Sequence, residues 1–324
     1  MNKMIMPHLT IGIPTLNRGY CLEKSINSAL WQTYKNIEVI VSDNASTDNT
    51  ADILAAFHDS RIREIRQTKT IDAVSNWNAI LSEARGRLFM ILSDDDWIEP
   101  TFAESMISLF DKNPMMSMGY CQTIVHSENS NQMTRRGPEL EKGVDFLLAA
   151  MSMNRDVAFC ATVMHTRLLK ECGGYRLENF GDALAWVEMS LKGSVGCVCE
   201  PLSHYTWNMS CSSATLDPYS VLQQHKFIVE HASKGLREKS VPTDKILQVR
   251  HEWERYVVKS LSDLFLKNGL SGIAKRYIWH SFIMCFPFLM RHPRMLSVPA
   301  VFSALFVPRG MISKLLNINS LLRH

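Results

Sequence analysis

Apolar positions change period several times along this chain, and each change marks an element. "HLTIGIP" is a run of apolar and β-branched residues, the pattern of a strand. Leu22, Ile26, Ala29 and Leu30 then fall on one face of a helix. "IEVIVSD" reads as a second strand, and the polar loop "NASTDNT" offers Ser46 or Thr47 as the cap of a helix carrying Ile53, Leu54 and Phe57. "REIRQ" fits a short third strand. Val74, Trp77, Leu81 and Ala84 recur at helical spacing as far as Gly86, and "RLFMILS" follows as a near-continuous apolar strand, the kind buried on both faces. The β-α-β-α series predicts a mostly parallel sheet covered by helices on both faces, with ligands gathering at the carboxyl ends of the strands.

The second half is less regular. Residues 126–143 are polar, contain "SENSNQMTRRG", and read as a mobile surface loop that would suit a lid. A helix around "VDFLLAAM", a strand "VAFCATVMHT", a loop "GGYRLENFGD", a helix from Asp182 through Leu191 and a strand "VGCVCEPLSHY" follow. No internal repeat is evident.

Composition changes this picture only at the C-terminus. With 324 residues, 46% hydrophobic and 21% charged, the chain is a folded α/β unit with an added segment. Its net charge of +3 hides an asymmetry: residues 241–324 hold 12 Lys and Arg against 4 Asp and Glu, the rest 23 against 28. After Asp263 there is no acid, while basic residues punctuate "YIWHSFIMCFPFLM" and "LSVPAVFSALFV". That mixture suits an anionic membrane surface. Pro287 and Pro299 break both stretches short of a spanning length, so the expectation is a segment lying on the bilayer. A basic helical appendage packed on the main domain is the alternative. Nucleic acid is disfavoured, because the aromatics sit among bulky aliphatics. The N-terminus runs straight into a strand without a signal-peptide pattern, which places the chain in the cytoplasm, peripheral on the inner face of the membrane. Eight cysteines with no C-x-x-C pair predict reduced, core-filling thiols.

The chemistry concentrates where the fourth strand ends, in "LSDDDWIEP". Carboxylates about 5 Å apart repel by roughly 3 kcal/mol per pair at an effective dielectric near 20. Asp94, Asp95 and Asp96 therefore call for a metal cation, basic side chains or water beside them. Hard oxygen ligands at a strand end suit Mg²⁺ or Mn²⁺, with substrate phosphates completing the coordination. No G-x-G-x-x-G and no G-x-x-x-x-G-K-S/T occurs, which removes most support for a dinucleotide oxidoreductase or a P-loop phosphotransferase.

"TIGIPTLNRGYCLEKSINSALWQTY", "IEVIVSDNASTDNT", "NAILSEARG" and "LSDDDWIEP" together resemble a family 2 glycosyltransferase with the GT-A fold, of the non-processive type that builds bacterial cell-surface polysaccharides. The resemblance covers roughly residues 8–210. It implies a GT-A catalytic domain over 1–215, with a donor-binding half at 8–125 and an acceptor half at 144–210, followed by a helical, basic, membrane-associating region at 216–324. Pro14, Thr15, Asn17, Arg18 and Asp43 inherit roles at the donor nucleotide, and Asn78, Ala84 and Gly86 match the family's N-x-x-x-x-x-A-x-G pattern, which implies a donor contact for Asn78 or else a structural role. The family's acidic motif, D-x-D or D-x-D-D, admits two registers: Ser93-x-Asp95-Asp96, with a serine in the first acidic place, or Asp94-x-Asp96. The resemblance implies Asp94 and Asp95 beside the donor and Asp95 and Asp96 as metal ligands.

Asp182 resembles the aspartate of the E-D-x-x-x-W motif, with Trp186 four residues on and Gly181 in place of the first acid. It would be the base that takes the acceptor's hydroxyl proton, at a helix N-terminus that favours the ionised form; the other reading is a plain N-cap. Glu188 reads as a solvent-facing charge, and His204 as a metal or phosphate neighbour or a structural histidine. The Q-x-x-R-W motif of processive relatives is absent.

The resemblance thus implies inverting, Mn²⁺- or Mg²⁺-assisted transfer of one sugar from a nucleotide-diphosphate donor to a glycan or polyprenyl-linked acceptor. Two alternatives stay open. One is a catalytically idle scaffold that binds nucleotide sugar, motivated by Ser93 and Gly181; the other is a nucleotidyltransferase.

Overall fold

The computed structural model describes residues 6–128, 130–178, 180–207 and 218–267. The basic tail after Lys267, with the expectation of a membrane-binding segment, lies outside the described residues.

Seven elements of the first half fall where the apolar periods put them. They are β1 (Leu9–Thr15), α1 (Gly19–Leu30), β2 (Ile37–Asp43), α2 (Thr50–Ala55), β3 (Ile62–Arg66), α3 (Ala73–Glu83) and β4 (Leu88–Ile91). Then come β5 (Trp97–Ile98), α4 (Phe102–Lys112), β6 (Met116–Ser127), β7 (Ser130–Met133), β8 (Leu140–Lys142), α5 (Gly143–Met151), β9 (Thr162–His165), α6 (Thr166–Glu171), α7 (Gly181–Lys192) and β10 (Ser194–Thr206). Two long helices close the described chain, α8 (Pro218–Glu238) and α9 (Thr243–Lys267).

The sheet runs β3-β2-β1-β4-β9-β6-β10-β5, with β7 added on β6 and β8 on β10. β3, β2, β1 and β4 are parallel, as expected of β-α-β units. β9 then enters antiparallel to both β4 and β6, and β5, β7 and β8 are antiparallel as well. The sheet is therefore mixed: β1 to β4 form the parallel sheet that the sequence pattern predicts, and β6 and β10 pair in parallel as well.

Alternate side chains of the strands feed two apolar layers. Ile11, Ile13, Val39, Val41 and Met90 pack with Leu22, Ile26, Phe102 and Met106 of α1 and α4. Ile40, Phe89, Ile91 and Met118 face the other way, toward Ile80, Leu169, Ala185 and Met189 of α3, α6 and α7. A third cluster joins Leu147 and Met151 of α5 and Leu184 and Val187 of α7 to Ile228, Ala232 and Leu236 of α8 and Ile246 of α9. Residues Met1–Leu216 and Gln223–Arg255 accordingly form one compact unit. Within that unit α8 and α9 pack on α7. A second unit comprises Asp217–Leu222 and Tyr256–His324, described only where α8 begins and α9 ends.

Several local expectations change. The polar stretch expected as a mobile lid contributes β7 and β8, and Arg135 and Arg155 fasten it through ion pairs to Asp156 and Glu141 at 2.8 and 2.9 Å. The expected strand "VAFCATVMHT" is a 3₁₀ turn, Phe159–Ala161, followed by the short β9. Ser46 and Thr47 do not cap α2; Asp48 Oδ1 accepts the Thr50 N–H at 3.1 Å. The six described cysteines are free thiols, and Cys211 and Cys285 lie outside the described residues.

Candidate active site

The three parallel strands β2, β1 and β4 end side by side. Register pairs Thr15 of β1 with Asp43 of β2, and the Leu92 N–H donates to Gly12 O at 2.8 Å, so the loops carrying Pro14–Arg18, Asp43 and Ser93–Asp96 emerge at one sheet edge. Open parallel sheets bind ligands at such an edge.

Asn17 sits at φ 54°, the left-handed region that Asn tolerates better than most side chains. From there its Oδ1 accepts the Thr47 N–H at 2.7 Å and its own N–H donates to Ser46 Oγ at 2.8 Å, which joins the loop after β1 to the loop after β2. Asp43 is fully buried. Its Oδ1 accepts the Ser46 N–H at 2.8 Å, while Oδ2 has no hydrogen-bond partner and lies 3.6 Å from the Arg66 guanidinium. An unpartnered buried carboxylate oxygen is costly unless a ligand's N–H completes it. Neighbouring groups hold this corner: Ser42 Oγ donates to Asn76 Oδ1 at 2.6 Å, and Asn44 is bonded both ways to Ile71.

The aspartate run divides. Arg18 forms ion pairs with Asp94, at 3.2 Å, and with Asp95. The positive partner that the run demands is thus supplied in part by the chain itself. Burial pushes the Asp94 carboxyl up to about 6, with Arg18 pulling the other way. Asp96 turns inward instead. Only 1% exposed, it accepts the Thr206 N–H at 2.8 Å, and burial followed by the Asp95 charge pushes it up to about 8. The turn is pinned by Ser25, whose hydroxyl donates to Ser93 O at 2.8 Å and to Asp96 O. The expected metal pair, Asp95 and Asp96, therefore has its two carboxyls in different surroundings, Asp95 beside Arg18 and Asp96 in the core.

The donor set can be tested against the divalent cation that the family resemblance implies. Among the described residues no cluster of three or more His, Cys, Asp or Glu gathers. One or two carboxylates with the remaining positions left to phosphate and water is the usual provision for Mg²⁺, and Asp94 and Asp95 fit it.

Asp182 lies in the first turn of α7, after the cap residue Phe180 rather than at the cap itself. Its Oδ1 accepts the Ala183 N–H at 2.7 Å, and burial pushes its carboxyl up to about 6. Desolvation thus outweighs the helix-terminus effect expected to favour the ionised form, and it leaves a carboxylate that is ionised above about pH 6 and more basic than a solvated one. Beneath it Trp77, Phe159 and Tyr175 form an aromatic cluster with ring centroids 5.0–5.6 Å apart. Gly181 packs on that cluster: a Cβ there would stand 3.2 Å from the Trp77 ring, so the acid customary at this position has little room. Helices α8 and α9 support α7 from behind, where His225 packs between Phe180 and Trp253.

Glu188 takes a different place from the one the sequence suggests, while Asn78 and His204 hold structural contacts. Asn78, carried over as a donor contact, has its amide committed to the Tyr175 backbone, donating at 2.7 Å and accepting at 2.9 Å, so its task is to tie α3 to the loop before α7. Glu188 is not solvent-facing: with 15% side-chain exposure it pairs with Arg176 and with His231 of α8, the latter at 2.9 Å. His204 has both ring nitrogens engaged, by Glu99 at 2.7 Å and His126 at 3.0 Å, and stacks on Trp97. Sequence reasoning missed Ser25 and Thr206. Ser25 had a signal, a hydroxyl inside the apolar stripe of Leu22, Ile26 and Ala29; Thr206 had none.

Comparison with known proteins decides the family. Residues 10–169 match the model of Glycosyl transferase family 2. Those residues form a domain of that family. The GalNAc(5)-diNAcBac-PP-undecaprenol beta-1,3-glucosyltransferase of Campylobacter jejuni is 27% identical over 191 residues, 57% of this chain and 60% of the relative. The UDP-Glc:alpha-D-GlcNAc-diphosphoundecaprenol beta-1,3-glucosyltransferase WfaP of Escherichia coli is 40% identical over 94 residues, 29% of this chain and 38% of the relative. The chain thus spans less than two thirds of the length of these family 2 relatives. Among solved structures, TarS 1-349 of S. aureus in complex with UDP superposes with a TM-score of 0.62 at 14% identity, covering 83% of this chain and 78% of the other. The mannosyltransferase PcManGT of Pyrobaculum calidifontis, in complex with GDP-Man and Mn2+, gives 0.53 at 17% identity, covering 93% and 88%. These likenesses establish a GT-A-like family 2 fold.

Proposed function

We propose that this protein transfers one sugar from a nucleoside-diphosphate donor to a glycan carried on a polyprenyl diphosphate, with inversion at the sugar carbon. The observation that carries the reading is the arrangement at one sheet edge of Asp43, whose buried Oδ2 accepts no hydrogen bond, and the Arg18–Asp94–Asp95 cluster on the far side of β1. Asp43 Oδ2 would accept an N–H of the donor's base, and the Pro14–Arg18 loop would line the nucleotide. Asp94 and Asp95 would hold a divalent cation, which when bound neutralises charge on the departing diphosphate. Arg18, which borders the same two carboxylates, would present its guanidinium to the phosphates. Asp182 would accept the proton of the acceptor hydroxyl as the bond to the sugar forms. A single displacement with a base on the acceptor side gives inversion.

The lipid-linked acceptor is supported by relatives whose names carry undecaprenol diphosphate and by the acid-free, basic and aromatic sequence after Asp263. Among the described residues no helix is long and apolar enough to cross a membrane; attachment through the basic tail would be peripheral, at the cytoplasmic face. Thermal unfolding with UDP, GDP and dTDP, each with and without Mn²⁺, tests the donor site. One nucleotide should raise the midpoint, and more so with the metal; no shift with any of them would sink the reading.

A further inference from the structure

A groove of about 460 Å³ runs between α1 and the segment Trp97–Pro100, on a part of the surface that the proposed donor and base sites do not use. It is of small-molecule size. Tyr20 and Trp31, which border it, are the two most exposed aromatic rings among the described residues, at 78% and 68%. They stand on one helix about 16 Å apart at 1.5 Å per residue, roughly the length of three linked pyranose rings. Between them the groove presents Glu23, Lys24, Asn27 and Glu99.

Its floor is held in place. The Lys24 ammonium lies 2.8 Å from the centroid of the Trp97 ring, and His204 and His126 stack on the same ring at 4.6 and 4.7 Å. Glu99 is fixed by His204 Nε2 at 2.7 Å. These contacts commit the side chains before a ligand arrives, which lowers the entropy cost of binding. The groove also starts at the reaction edge, since Cys21 packs on Arg18 and Trp97 directly follows Asp96.

We propose that this groove binds the part of the acceptor glycan that lies beyond the reacting sugar. Tyr20 and Trp31 would stack on the apolar C–H faces of pyranose rings, while the Glu23 and Glu99 carboxylates, the Asn27 amide and the Lys24 ammonium match sugar hydroxyls as acceptors and donors. A membrane surface is the poorer occupant. The groove is concave, and its two carboxylates against one ammonium oppose anionic headgroups. Energy from such remote contacts can be used to orient the reacting hydroxyl. The identity of the ligand as acceptor rests on the glycosyltransferase reading, but glycan binding can be measured with no donor present.

The test is saturation-transfer-difference NMR of the full chain with chitotetraose and with cellotetraose, repeated on Trp31→Ala and Tyr20→Ala and alongside sedimentation with phosphatidylglycerol vesicles. At least one tetrasaccharide should bind saturably, and both variants should weaken it by about tenfold or more. Unchanged thermal unfolding and unchanged hydrolysis of donor alone would show that these surface substitutions act locally. The inference is overturned if neither tetrasaccharide binds, if binding survives both substitutions, or if the substitutions weaken only vesicle binding. A protein that binds a tetrasaccharide through Trp31 yet turns over no donor would retain the groove and lose the enzymatic reading instead.

Discussion

Replacing Asp96 by Asn removes an ionisable group from the core while keeping an acceptor for the Thr206 N–H. In the folded protein burial, and then the Asp95 charge, raise Asp96 to about 8. In the unfolded chain the same carboxyl titrates near 4. Between about pH 4 and pH 8 the folded protein therefore retains a proton that the unfolded chain has released, and wild-type stability falls as pH rises through that window. Four units at 1.36 kcal/mol each set an upper bound of about 5 kcal/mol, and relaxation around the carboxyl reduces it. Asn pays none of this. Urea unfolding without added metal at pH 5 and pH 8 should show the advantage of Asp96→Asn growing by about 2–4 kcal/mol between the two. Asp94, raised in the same direction, is present in both proteins and cancels. A pH-independent difference would refute the reasoning. Mn²⁺ titration adds a second arm: Asp96→Asn should keep the wild-type affinity, whereas Asp95→Asn should lose about tenfold or more. The reverse order would make Asp96 the ligand that the family resemblance implies.

Other substitutions separate the remaining roles. Asp182→Asn should lower kcat by about 10²–10⁴ with donor KM little changed, and wild-type kcat should fall about tenfold per pH unit below about 6 as the base takes up a proton; a flat acid limb would remove Asp182 as the base. Arg18→Ala leaves Asp94 and Asp95 without their cation, so the metal-free protein should lose about 1–3 kcal/mol and regain more of it with Mn²⁺ than wild type does. Equal stability with and without Mn²⁺ would contradict that. Asn78→Ala removes two hydrogen bonds to the Tyr175 backbone and should cost about 1–3 kcal/mol in urea unfolding with donor KM unchanged. A large rise in KM would restore Asn78 to the donor site.

What the sequence shows of this fold follows from how local each determinant is. β1, β2 and β4 are buried on both faces, and their apolar runs identify them. β6 escapes because "MSMGYCQTIVHS" begins buried and ends half-exposed, so no single period describes it. β7 and β8 have no apolar signature; they exist because β6 and β10 offer open edges to pair with. The candidate site divides the same way. The strand-end aspartates and Asp182 are visible as motifs, but the inward turn of Asp96 depends on Thr206, 110 residues away, and the ion pairs of Arg18 reach across as many as 77. Glu188 looks like a surface charge until α8 closes over it with His231.

Sugar transfer at this sheet edge, beyond the mere holding of a nucleotide, requires turnover of the donor. Its most direct test is release of nucleoside diphosphate from UDP-glucose, UDP-N-acetylglucosamine and GDP-mannose, with and without Mn²⁺, by wild type and Asp182→Asn in the presence of a polyprenyl-diphosphate-linked N-acetylglucosamine acceptor. One donor should be turned over with Mn²⁺, the sugar should appear on the acceptor with inverted configuration, and Asp182→Asn should bind the donor without transferring it. Donor binding without turnover by the wild-type protein, or equal turnover by Asp182→Asn, would contradict it.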